Sequence, residues 1–124
     1  MRTLGAWSHG IIDYVIVILL ITGPSIAGFA GRQATLAYLL GAVLFALTIL
    51  TRFPLGVVKV IRFTIHGAIE FLFGILLLVL PWMANFSRGI HSRDFYVAMG
   101  LLIVIVDAIT DFRLVRNRVD ATVK

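Results

Sequence analysis

His9 and Asp13 stand four residues apart, and His66 and Glu70 repeat that spacing 57 residues further along. On a helix, positions i and i+4 share one face, so each pair presents an imidazole beside a carboxylate. These groups can ligate a divalent metal, form a structural ion pair, or relay protons. Asp107 and Asp111 carry the same spacing near the C-terminal end, where the equivalent positions of the first half hold Thr48 and Arg52. One half is thus acidic where the other is basic, which permits an Arg52–Asp111 ion pair across the axis relating the halves.

The elements that must position these residues follow from composition. Of 124 residues 60% are hydrophobic and only 14% charged, with a mean hydropathy of +1.05, against roughly 25% charged residues in ordinary soluble domains. A water-soluble fold this apolar would expose large aggregation-prone patches. Four apolar stretches, at about 8–29, 34–51, 60–83 and 95–110, alternate with charged or turn-rich segments. Each is close to the ~20 residues that cross a ~30 Å hydrocarbon core as a helix. Helices are required there because the bilayer offers no water to satisfy backbone groups. The first stretch is too long for a signal-peptide core and has an internal counterpart, so retention is expected.

Asp13, Glu70 and Asp107 lie inside these apolar stretches, where a charge costs on the order of 2.5–3.5 kcal/mol at mid-helix and less near an end. They are therefore expected to turn inward with His9 and His66 and find partners. One reading is a structural polar lock joining helix ends, helped by Arg52, Arg62 or Arg113. A second is a metal site on His9, Asp13, His66 and Glu70, or a haem held by the two histidines. A third is a proton or ion path, although the outer halves of the spans lack ionisable residues to complete one. No cysteine is present, which removes disulfides, thiolate metal sites and thiol catalysis. No nucleophile–base arrangement is visible either, so no catalytic residue is assigned and an enzyme is the less favoured class. No cofactor is expected on the polar-lock reading.

The two halves of the chain repeat. His9-Gly10-Ile11-Ile12-Asp13-Tyr14 returns as His66-Gly67-Ala68-Ile69-Glu70-Phe71, and Pro24, Ala27 and Phe29 return as Pro81, Ala84 and Phe86. After a two-residue insertion, Gly41 aligns with Gly100, Thr51 with Thr110 and Phe53 with Phe112. Such self-similarity is the signature of an internal duplication, with repeat 1 at about 8–53, repeat 2 at about 65–112 and a tail at 113–124. Two spans per unit make the repeats parallel, related by an axis along the membrane normal.

Lys and Arg gather on one side. Arg2, Arg52, Lys59, Arg62, Arg113, Arg116, Arg118 and Lys124 fall at one end of the spans, and Arg32, Arg88 and Arg93 at the other. The positive-inside rule then places both termini and the central connection in the cytoplasm, in the inner membrane of the cell. The net charge of +5 is assigned to topology and anionic lipid and not to nucleic acid. Trp7, Trp82, Tyr38 and Tyr96 are expected at the interfaces, and Gly41, Gly74 and Gly100 at close helix contacts.

With Pro24 and Pro81-Trp82 late in the odd-numbered spans, a small residue then Phe at Ala27–Phe29 and Ala84–Phe86, and Gly41 and Gly100 early in the even-numbered spans, the chain resembles the SPW-repeat integral membrane proteins. The resemblance covers about residues 9–112. It implies a two-helix unit in tandem and no particular activity or cofactor. The expectation is a single membrane domain over 1–124: an all-α four-helix bundle of two tandem parallel two-helix repeats. The bilayer is its partner, with a structural or partner-subunit role and either self-association or other membrane proteins beside it.

Overall fold

The computed structural model describes residues 4–52 and 55–110; the side chain of Arg52 and everything from Asp111 onward lie outside the described residues. The chain is all-helical in its regular architecture, with α1 (Ala6–Ala27), α2 (Arg32–Ile49), α3 (Phe63–Met83) and α4 (Ile90–Ile109). Two-residue extended segments β1 (Thr51–Arg52) and β2 (Ile61–Arg62) pair in parallel in the connection between α2 and α3. By length and composition α1, α2 and α3 can each cross a membrane. The fourth helix is 20 residues long but opens with His91, Ser92, Arg93 and Asp94.

Each helix buries one stripe. In α1 it is Ala6, His9, Gly10, Asp13, Ile16, Val17, Leu20, Gly23 and Pro24, and in α3 it is Phe63, His66, Gly67, Glu70, Phe73, Gly74, Leu77 and Pro81. Steps of three and four residues keep one face inward. The opposite faces expose Ile11, Val15, Ile18, Leu72, Val79 and other large apolar side chains, a surface suited to acyl chains and not to water. The two stripes coincide, position for position, at a 57-residue offset except at Gly23.

Packing is closest within the hairpins α1–α2 and α3–α4, which then meet through α1 against α4 and α2 against α3. Glycines permit the close crossings. A Cβ on Gly100 would lie 2.8 Å from the Gly74 carbonyl oxygen, and one on Gly41 would lie 3.1 Å from both Leu20 and Ile21. At the outer end, Pro24 and Pro81 sit in the last turns of α1 and α3, which close on left-handed Gly28 (φ 82°) and Asn85 (φ 61°). The amides of Phe29 and Phe86 bond back to the carbonyls of Pro24 and Pro81 at 2.9 and 2.7 Å. The prolines thus accompany helix termination, where their missing N–H breaks least.

Three sequence expectations change. Tyr96 is not at an interface: it is fully buried among Phe29, Phe86 and Phe95, and its hydroxyl donates to the Gln33 carbonyl at 2.6 Å. Trp7, Trp82 and Tyr38 are exposed. The fourth helix begins at Ile90, about five residues before the apolar stretch at 95–110, so that His91 falls in its first turn. Finally, 60–62 are extended and not helical, because the amides of Val60 and Ile61 both bond to the Leu50 carbonyl at 3.0 and 2.8 Å.

Candidate metal centre

The basic end of the bundle brings the first-named residues together. His9 and Asp13 on α1 and His66 and Glu70 on α3 are all 0% exposed, and one ligand atom from each lies within 4.8 Å of every other. His66 Nε2 is 2.8 Å from Asp13 Oδ2 and 2.6 Å from Glu70 Oε2. His9 Nε2 is 3.1 Å from Asp13 Oδ2 and 3.3 Å from Glu70 Oε1. Each histidine therefore contacts both its own i+4 carboxylate and that of the other hairpin. Asp107, on α4, stands one step outside this set, with Oδ1 3.8 Å from His9 Nε2.

Two threonines fix the imidazoles from behind. Thr110 Oγ lies 2.7 Å from His9 Nδ1, and Thr51 Oγ lies 2.7 Å from His66 Nδ1. Each hydroxyl donates its single proton to the carbonyl four residues back, Thr110 to Val106 at 2.6 Å and Thr51 to Leu47 at 2.5 Å. With that proton committed, each threonine oxygen accepts from the imidazole, so Nδ1 carries hydrogen in both rings. A neutral ring then turns the bare lone pair of Nε2 toward carboxylate oxygens.

Lone pairs facing one another at 2.6–3.3 Å in a buried site require something positive between them. Two solutions meet that need: a proton in each contact, carried by Nε2 or by a carboxyl oxygen, or a metal cation shared by all four groups. For a cation with bonds of about 2.0–2.2 Å, tetrahedral ligand atoms lie roughly 3.4 Å apart, and the His–carboxylate separations of 2.6–3.3 Å fall somewhat short of that value. Asp13 Oδ1 and Glu70 Oε1 have no hydrogen-bond partner among the described residues, nor has either oxygen of Asp107.

Of the other expected participants, Arg62 is exposed and makes no ion pair to the cluster among the described residues. The Arg52 side chain, Asp111, the ion pair permitted between them, and Arg113 all lie outside the described residues. Thr51 and Thr110 were the residues missed as site members. Their signal was present: they align with each other in the repeat, each at the exit of an even-numbered helix.

Comparisons with protein-family models, with curated proteins and with solved structures find no match.

Proposed function

We propose that this chain is a four-span protein of the cytoplasmic membrane whose buried cluster of His9, Asp13, His66 and Glu70 binds a divalent transition metal ion. The observation that carries the reading is the pair of threonines. A metal-ligating histidine characteristically donates its other ring N–H to an oxygen, which fixes tautomer and orientation; here both rings are held that way, with both Nε2 atoms beside the same two carboxylates. Two nitrogens and two oxygens are a ligand set for zinc, iron, cobalt or manganese. Haem is the weaker alternative, since Asp13 and Glu70 stand against both Nε2 atoms and a porphyrin would have to pass through them.

The competing reading is a structural polar lock in which both rings are imidazolium. It is favoured by the 2.6 and 2.8 Å contacts of His66, which are hydrogen-bond lengths as they stand. Internal duplication belongs to the same proposal. It is supported by the coincident buried stripes, the matched turns at Gly28 and Asn85, and the matched His–Thr bonds. Kinship with the SPW-repeat proteins rests on the proline, tryptophan and glycine positions alone.

Elemental analysis of the protein purified in detergent without chelator tests the metal reading. Close to one equivalent of a transition metal is expected, lost in His66→Ala. Metal-free protein that takes up none of Zn²⁺, Co²⁺ or Mn²⁺ would leave the polar lock as the correct description.

A further inference from the structure

The cluster has a twofold pattern that is broken at one place. His9 and His66, Asp13 and Glu70, and Thr110 and Thr51 are equivalent pairs across the two hairpins. The next pair on the even-numbered helices, Thr48 and Asp107, is not. Thr48 is fully buried and closes its hydroxyl on the Leu44 carbonyl at 2.8 Å, taking no part in the cluster. Asp107 occupies the matching position on α4, is only 7% exposed, and has neither oxygen hydrogen-bonded among the described residues. Its Oδ1 is 3.8 Å from His9 Nε2. A third carboxyl group beside two others in an apolar bundle must either hold a proton or share a cation.

We propose that Asp107 is a fifth donor to the metal, supplied by α4 alone, and that it raises the coordination number above four. This rests on the metal reading of the cluster. With bonds of about 2.1 Å, neighbouring ligand atoms of a six-coordinate ion lie roughly 3 Å apart and opposite ones roughly 4.2 Å; the 3.8 Å of Asp107 lies between these values, and Asp107 stands just outside the four mutually close donors, so it reaches the ion by a side-chain shift. A set of two imidazoles and three carboxylates suits ions that accept five or six ligands with oxygen in the majority, such as Mn²⁺ and Fe²⁺. The four-donor core alone suits tetrahedral Zn²⁺. Asp107 is therefore the residue that sets metal preference, and Thr48 shows what the position looks like without that role.

The test uses the full chain in detergent, stripped of metal and loaded with Co²⁺, whose visible absorption is weak at five or six ligands and intense at four. Wild type should give the weak spectrum. Asp107→Thr, which copies the residue at position 48, should give the intense tetrahedral one. In parallel titrations the variant should lose about tenfold in affinity for Mn²⁺ relative to Zn²⁺. Asp107→Ala likewise removes the donor and should also give the intense spectrum, and it decides the matter if the threonine variant fails to fold: a weak spectrum in Asp107→Ala would then overturn the assignment. An intense spectrum in wild type, or the same weak spectrum in all three proteins, would overturn the assignment of Asp107 while leaving the four-residue site intact. Failure of wild type to bind Co²⁺ at all would instead overturn the metal reading beneath it.

Discussion

Each imidazole of the cluster has a committed side and a working side. Thr51 and Thr110 take the Nδ1 hydrogens, so whatever positive species the cluster holds must meet the Nε2 atoms. Replacing both threonines with valine preserves shape and removes the acceptor. The outer partner of a ligating histidine is typically worth 10–100-fold in metal affinity, so the double variant should bind metal at least about tenfold more weakly in a chelator competition. Affinity should also fall as the pH is lowered, because protons compete with the metal for Nε2 and for the carboxylate oxygens, and binding therefore releases protons. Under a polar lock the same substitutions would lower thermal stability with no metal dependence. The convergence of histidines with carboxylates was legible because i+4 spacing in an apolar span leaves a charged group no favourable direction but inward. The threonines were not, because a hydroxyl within a turn of a helix usually satisfies itself on its own backbone. These two do so and accept a second bond as well.

At the scale of the helices, the spacing of buried residues in threes and fours was readable directly, and so was the need for glycine at crossings. The sequence does not reveal how close those crossings are. Around Gly100 a methyl group would lie 2.8 Å from the Gly74 oxygen and 3.0 Å from the Leu78 nitrogen, both backbone atoms that cannot swing aside. Gly100→Ala should therefore lower stability by about 1–3 kcal/mol, the range for overpacking, read as a drop in the thermal midpoint of the detergent-solubilised protein. Gly5→Ala, where nothing lies within 4 Å, is the matched control and should leave the midpoint unchanged. Tyr96 was placed at an interface on residue type alone. Its ring instead fills the outer core because the Gln33 carbonyl at the start of α2 accepts its hydroxyl, a contact between hairpins that no local pattern encodes.

For the molecule as a whole, sidedness joins the charge asymmetry to the site. Lys59 and Arg62 lie at the end that holds the cluster, and Arg32, Arg88 and Arg93 at the other. A reporter fused after Lys124 should be active only in its cytoplasmic form, and one inserted near Arg88 only in its periplasmic form. A periplasmic C-terminus would invert the assignment and place the cluster near the outer surface.

The short parallel pairings bear on how the two hairpins are joined. Thr51 pairs with Ile61 where the chain passes from the first hairpin to the second. Leu4 pairs with Thr110 on the far side, its amide 2.8 Å from the Ile109 carbonyl. Both seams have the same construction, yet only one is crossed by the covalent chain. The two hairpins are thus joined by backbone pairing at both seams and by the covalent chain at one of them. Moving the covalent connection from one seam to the other would yield a circular permutant, and it would disturb none of the core contacts or the His–carboxylate set.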